Sequence, residues 1–129
     1  MKKLACAALV AALVITVAPS AQADNGQKYV DAQGIAAIVD NDVGAARDQA
    51  LEDARRKAVE KVVGVMVDSE TLVENFQLVS DKIYSQSAGY ICGEEITNER
   101  QDEYNYYVTI HACVAQGNLE DNLLAIGIC

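Results

Sequence analysis

The sequence predicts an α+β domain in which two long helices pack on one face of a three-stranded, mostly antiparallel sheet. Alanine recurs every four residues over about five turns, which predicts one long helix. Two later runs alternate between apolar and polar residues on either side of a short polar segment, as in a β-hairpin. A third alternating run precedes the helices, so the expected element order after residue 23 is β-α-α-β-β-α.

Residues 1–23 are predicted to be a cleavable export signal. The chain begins with two lysines, continues with an almost wholly apolar run, and offers Ala21-Gln22-Ala23 as a cleavage site. The apolar run, about 14 residues, is shorter than the roughly 20 that a helix needs to span a bilayer. We therefore expect a periplasmic protein that begins at Asp24, forms a single domain over residues 24–129 and has no membrane span.

The mature chain is predicted to be strongly acidic. The full sequence carries 10 basic and 19 acidic residues, and cleavage removes two lysines and no acid, which leaves a net charge of −11. Such a domain repels nucleic acid and anionic lipid. We therefore expect a protein partner in the cell envelope and no nucleic acid.

The first predicted strand, Lys28 to Val39, has one side of small residues that would allow another element to pack close to the sheet. Asp40-Asn41-Asp42 ends this strand and caps the first long helix. That helix is predicted from Val43 to Val63, with Gly64 as its stop. Its expected core positions are Ala46, Ala50, Ala54, Ala58 and Val62.

The second long helix is predicted from Asp68-Ser69 to about Ser87, with one apolar stripe that we expect to enter the core. The stripe consists of Leu72, Phe76, Val79 and Ile83. The hairpin strands are predicted at Tyr90 to Glu99 and Tyr104 to Ala115, and a short final helix at Leu119 to Ile126.

Three candidate sites of chemistry are weak. His111 is the only histidine, so a zinc site is not expected and a structural or solvated role is favoured. A calcium loop beginning at Asp40 would need glycine and glutamate where Ala45 and Leu51 stand. No serine lies in a nucleophile elbow and no glycine-rich phosphate loop occurs. We therefore expect no enzyme activity, no metal and no cofactor.

The hairpin carries two further groups of candidates. Its acids favour a solvated rim over a pair of catalytic carboxylates; they are Glu94, Glu95, Glu99, Asp102 and Glu103. Three tyrosines, Tyr104, Tyr106 and Tyr107, are a possible contact patch because tyrosine is enriched at interfaces, although packing within the sheet is the favoured interpretation.

Three cysteines follow the export signal, and export favours a disulfide. A two-residue turn at Asp102-Glu103 would place Cys92 opposite Cys113, where a cross-strand bridge is possible. A register shift of one residue would break this pairing. A bridge that uses Cys129 instead, or no bridge at all, remains an alternative.

The stretch Ile35–Ala54 resembles the opening of the flagellar assembly protein T N-terminal domain, with a strand, an acid-rich or Asn-rich turn and an Ala-Arg-x-x-Ala-x-x-x-Ala helix. The stretches Val65–Ile91 and Leu123–Gly127 are similar to the same domain. The resemblance implies helices packed on a sheet, in a periplasmic protein that helps to build the ring around the flagellar basal body. It implies no catalytic residues.

Together these observations predict a non-enzymatic periplasmic interaction module that assists flagellar or envelope assembly. The alternative is a periplasmic protein that binds a small ligand or a cation through its acidic hairpin. The oligomeric state is not predicted by the sequence.

Overall fold

The computed structural model describes residues 26–128, so the predicted export signal and Cys129 lie outside the described residues. The elements, in chain order, are β1 (Gln27–Ala37), α1 (Val43–Met66), α2 (Ser69–Glu74), α3 (Phe76–Lys82), a 3₁₀ segment (Tyr84–Tyr90), β2 (Ile91–Gln101), β3 (Asn105–Ala115) and α4 (Gln116–Ala125). Within the described part of the chain, no helix combines the length and the apolar character needed to cross a membrane.

The three strands form one sheet in the order β1-β3-β2, and both pairings are antiparallel. The predicted α+β class with a three-stranded antiparallel sheet is therefore confirmed, and β1 is an edge strand next to β3. Alternate residues of the central strand lie on opposite sides of the sheet. The side beneath the helices is fully buried and consists of Val108, Ile110, Ala112 and Val114.

Helix α1 packs on the sheet through its alanine stripe, as the repeat predicts. Ala50 and Ala54 are fully buried and approach β1 at Gly34. A Cβ atom on Gly34 would lie 1.9 Å from the carbonyl oxygen of Ala50 and 2.3 Å from the amide nitrogen of Ala54. The small residues predicted on this side of β1 therefore allow direct contact between the helix backbone and the strand.

The ends of α1 follow from local chemistry. Asp42 caps the helix by accepting a hydrogen bond from the Ala45 N–H at 3.0 Å, as predicted. The predicted stop at Gly64 is wrong, because the helix continues to Met66. Val62, Val63 and Val67 are buried around this last turn. Their burial outweighs the cost of about 1 kcal/mol that glycine brings to a helix interior.

Side chains of α1 also cover the outer edge of β1. The Asp53 carboxylate accepts a hydrogen bond from the Ile35 N–H at 3.0 Å. The Lys61 ammonium donates to the Asp31 carbonyl. Unpaired backbone groups of an edge strand invite pairing with other chains, and these two contacts occupy one donor and one acceptor.

The second long helix is not continuous, which corrects the prediction. Asn75 ends α2 with φ −116° and ψ 24°, and its side-chain amide donates to the Thr71 carbonyl at 2.8 Å. A new helix, α3, begins at Phe76, and the 3₁₀ segment replaces the predicted last turn. Because of this break only part of the predicted stripe reaches the core: Val79 and Ile83 are buried, Leu72 is partly buried and Phe76 is exposed.

The hairpin turn is longer than predicted. The Asp102 N–H donates to the Asn105 carbonyl at 2.9 Å. Gln101 therefore lies opposite Tyr106, whereas a two-residue turn would place it opposite Tyr104. Two irregularities then shift the register of β2, one at Thr97 and one at Cys92. Each is a β-bulge that inserts one extra residue into β2.

Candidate interaction surface

The side of the sheet that faces away from the helices is uncovered by any other described residue. We call this side the open face. Its side chains form four cross-strand rows, each with one residue from β1, β3 and β2 in turn. The rows are Tyr29, Cys113 and Gly93; Asp31, His111 and Glu95; Gln33, Thr109 and Asn98; and Ile35, Tyr107 and Arg100. Aromatic, charged and apolar groups are therefore mixed across one flat surface.

His111 lies at the centre of the second row and is not isolated. Its Nδ1 atom lies 2.8 Å from the Asp31 carboxylate, and its ring stacks on Tyr29 with centroids 5.7 Å apart. Glu95 is the neighbour on the other strand. Among the described residues no group of three or more histidine, cysteine or acidic side chains is arranged to hold a metal ion. The cluster thus forms a polar and aromatic surface.

Arg100 and Tyr107 form a second stacked pair on the open face. The guanidinium carbon of Arg100 lies 3.7 Å from the centroid of the Tyr107 ring. The Tyr107 hydroxyl donates to Asp102 at 3.0 Å, which fixes the ring against the turn. A cation over a ring at an exposed site contributes about 0.5–1 kcal/mol. The pair therefore presents a pre-ordered edge to solvent.

The three tyrosines of the predicted contact patch lie in different places. Tyr104 is exposed at the tip of the turn. Tyr106 lies on the helix side, where its hydroxyl donates to Glu99 at 2.8 Å. Only Tyr107 belongs to the open face. A contact role for each of them stays a prediction, but the structure does not bring them together as one patch.

The hairpin acids are also divided, because α1 pairs with two of them. Arg55 contacts Glu94 through two hydrogen bonds of 2.7 Å. Arg47 contacts Glu99 at 2.5 Å. Hydrogen bonds lower the pKa of Glu99, and the one from the Arg47 guanidinium has a larger effect than the one from the Tyr106 hydroxyl. These two pairs hold β2 against α1.

Asp102 is occupied by the turn that it helps to form. It accepts hydrogen bonds from the N–H groups of Tyr104 at 2.9 Å and Asn105 at 2.8 Å. Both hydrogen bonds lower the pKa of Asp102, and the one from Tyr104 has the larger effect. Glu95 and Glu103 complete the predicted rim, and Glu95 alone of the five acids lies in a row of the open face.

Cys92 and Cys113 are joined by a disulfide, with Cα atoms 5.1 Å apart. The pairing agrees with the favoured prediction, although the register does not. Extended without a bulge, the register at the tip would place Glu94 opposite Cys113. The bulge at Thr97 brings Gly93 opposite Cys113 instead, and Cys92 is the extra residue of the second bulge beside it. Cys129, the rival partner, lies outside the described residues.

A polar depression of about 450 Å³ lies between α1 and the 3₁₀ segment. Its cationic wall is already neutralised, because Arg55 pairs with Glu94 and Arg56 pairs with Asp53 at 2.5 Å. A second depression of about 270 Å³ lies on the open face beside Tyr29 and His111. The open face therefore combines a concave region with exposed aromatic groups.

Several residues of the open face were not singled out by the sequence prediction, among them Asp31, Ile35 and Arg100. A signal for the first two exists, since they share the larger, more polar side of β1. Arg100 lies beyond Glu99, the predicted end of the first hairpin strand. It belongs to the sheet because β2 continues to Gln101.

Comparison with known families gives one match. The family model described as flagellar assembly protein T, N-terminal domain, matches residues 28–116, which is more than half of the chain. The matched region contains the whole sheet except its first residue, together with α1, α2 and α3. No curated protein and no solved structure matches the chain.

Proposed function

We propose, from the premise that the chain belongs to the flagellar assembly protein T, N-terminal domain family, that it is a non-enzymatic periplasmic module that assists flagellar or envelope assembly by binding a protein partner. Membership of this family supports a role in flagellar assembly. The periplasmic location, the absence of catalysis and the identity of the binding surface belong to the proposal.

The observation that carries the proposal is the open face. A sheet of three strands is covered by helices on one side only, and the other side presents Tyr29, Ile35 and the Arg100–Tyr107 pair to solvent. Tyrosine and arginine are enriched at protein interfaces, where they supply large contact areas with little loss of side-chain freedom. The chemistry of the open face therefore fits a protein partner.

The rigidity of this face also favours docking over catalysis. The disulfide fixes β2 to β3 at one end, and the Asp102 turn fixes them at the other. Two arginines of α1 anchor β2 from the opposite side. A surface that is ordered before binding loses less conformational entropy when a partner docks.

Site-specific photo-crosslinking in living cells tests the binding surface. A photoreactive residue at Gln33, which is exposed on the β1 edge of the open face, should give a discrete adduct with an envelope protein. The matched control is Asp48, which is exposed on α1 away from the sheet. Adducts of equal yield from both positions, or from Asp48 alone, would show that the open face is not the docking surface.

The proposed location rests on the predicted export signal and on the disulfide, which persists in oxidising compartments. Osmotic shock should release a protein whose intact mass corresponds to a chain that begins at Asp24 with Cys92 and Cys113 oxidised. Recovery of the uncleaved chain with reduced thiols in the cytoplasmic fraction would contradict this location.

The alternative, a small-ligand or cation-binding protein, rests on the acidic hairpin and stays a prediction. A ligand that binds only the folded state raises the melting temperature. A thermal-shift screen of metals, sugars and amino acids therefore separates the two functions. A specific, saturable shift that disappears in a Glu95→Gln variant would favour ligand binding through the open face.

A further inference from the structure

Helices α2 and α3 form a second exposed surface. We call it the acidic arm (Ser69–Lys82). It is poorly anchored, because α2 contributes no buried residue and α3 contributes only Val79. Two of its apolar side chains are exposed instead. Val73 is 77% exposed and Phe76, the only phenylalanine of the chain, is 62% exposed.

The charge of the arm is one-sided. From Asp68 to Lys82 the chain carries four acids and one base, Lys82, which lies at the far end of α3 from Glu70 and Glu74. Asp68 is used as the helix cap, since it accepts hydrogen bonds from the Thr71 N–H and hydroxyl. Glu70 and Glu74 lie on α2 beside the exposed apolar groups and are themselves exposed. The arm thus joins an apolar contact to a negative rim.

We propose that the acidic arm docks a basic, amphipathic protein segment, with Phe76 and Val73 in the apolar contact and Glu70 and Glu74 pairing with lysine or arginine of the partner. Charge complementarity selects this occupant. An apolar contact supplies most of the free energy of docking, and a ring of opposite charges raises the association rate and excludes partners of the wrong sign.

A second copy of this chain does not provide the complementary charge. Five of the eight basic residues between positions 26 and 128 lie on α1, and each of them already contacts a carboxylate or a backbone carbonyl of its own chain. Arg100 is stacked on Tyr107. The two that remain, Lys28 on β1 and Lys82 at the end of the arm itself, lie on different elements, so the described part of another copy offers the arm no cluster of free basic groups.

A lipid surface is equally disfavoured. Exposed phenylalanine and valine can enter a membrane interface, but interfacial helices that do so carry lysine and arginine on their polar side. The arm carries acids there, which anionic lipid headgroups repel. A basic protein segment is thus the occupant that satisfies both the apolar and the charged groups.

Titration with a defined probe tests the proposal on the disulfide-bonded mature protein. The probe is a short peptide of leucine and lysine in an amphipathic helical pattern, and its control is the same pattern with glutamate in place of lysine. Amide chemical shifts recorded during the titration should move at residues 70–81 with the lysine peptide and stay fixed with the glutamate peptide.

Matched variants decide whether the arm is the site. Phe76→Ser should weaken binding by roughly tenfold, as expected for the loss of about 1.4 kcal/mol of apolar contact. Its control is Leu124→Ser, on α4, where the side chain is 53% exposed.

The charge variant is Glu70→Gln with Glu74→Gln, and its control is Glu120→Gln with Asp121→Asn, also on α4. The first charge pair should weaken binding several-fold and the second should not.

Equal weakening by variant and control would mean that the peptide responds only to the net charge of the domain, and it would overturn the proposal. So would binding of wild-type protein, but not of Phe76→Ser, to vesicles of phosphatidylglycerol and phosphatidylethanolamine. Dimerisation of the free protein that Phe76→Ser abolishes would assign the arm to self-association and overturn it as well. All of these outcomes are independent of the Gln33 crosslink, because the arm and the open face are separate surfaces.

Discussion

Replacement of Gly34 by alanine tests how closely α1 packs on the sheet. The added Cβ atom would lie 1.9 Å from the Ala50 oxygen, 2.3 Å from the Ala54 nitrogen and 2.9 Å from the Ala54 Cα atom. All three are backbone atoms of α1, so no side-chain rotation relieves the overlap, and the helix must move away from β1 by more than an ångström. Overpacking of a core usually costs 1–3 kcal/mol. Because a whole helix must shift here, we expect about 3 kcal/mol of destabilisation.

Urea unfolding of the oxidised protein, followed by circular dichroism, measures this cost. The matched control is Gly64→Ala, which lies inside α1 with no atom within 4 Å of the new Cβ. Since alanine is a better helix former than glycine, this control should stabilise the protein by about 0.5–1 kcal/mol. A Gly34→Ala protein that unfolds at the wild-type urea concentration would refute the close packing, whereas opposite shifts for the two variants would support it.

Three further predictions concern the contacts that hold the sheet. Replacing Cys92 and Cys113 by alanine removes a covalent link between residues 21 positions apart. The free energy of unfolding in urea should fall by about 3 kcal/mol. An unchanged unfolding midpoint would contradict a stabilising bridge. Burial raises the pKa of Asp53, but hydrogen bonds from Lys57, Ile35 and Arg56 outweigh burial and lower it overall. The stabilisation is therefore present above the ordinary aspartate pKa of about 4 and is lost as pH falls below it. Asp53→Asn should lower the free energy of unfolding at about pH 7, and the difference from wild type should shrink towards about pH 2. A difference that stays constant with pH would refute this. A double-mutant cycle of Arg100→Ala and Tyr107→Leu should give a coupling of about 0.5–1 kcal/mol, and a coupling of zero would show that the stacked pair does not stabilise the fold.

The sequence predicts the two faces that meet between α1 and β1 because each of them is periodic. Alanines at every fourth position and small residues at every second position identify two faces that can approach each other. The structure places Ala50 and Ala54 against Gly34, as the two patterns together require. Strong periodicity over many residues therefore allows both the elements and their contact to be predicted.

The arm could not be predicted in this way, because a single polar side chain interrupts its pattern. The stripe from Leu72 to Ile83 has helical spacing, and nothing in that spacing shows that the Asn75 amide takes the Thr71 carbonyl and ends α2. Once the helix is broken, Phe76 starts a new helix and leaves the core side. The change of backbone direction at Asn75 thus leaves the only phenylalanine of the chain exposed.

The hairpin shows how a correct pairing can follow from an incorrect register. The predicted turn was too short, and the error at the tip was compensated by the two bulges at Thr97 and Cys92. A bulge shifts the phase of the apolar–polar alternation by one residue, but β2 has too few apolar residues, Ile91 and Ile96, for that shift to be recognised in the sequence. The bridge was predicted from spacing, but its geometry depends on those two irregularities.

The distribution of charge connects the two proposed surfaces. The sequence shows only a strong excess of acids, which argues against nucleic acid as a partner. In the fold the excess is not uniform, since the arginines of α1 neutralise Glu94 and Glu99 of the hairpin. These pairs lie on the helix side of the sheet, whereas the open face carries acidic, basic and aromatic groups together, and Glu70 and Glu74 lie on the arm. Because the two surfaces differ in charge, the two proposals together imply different partners for them, with a basic protein segment on the arm and a second protein on the open face.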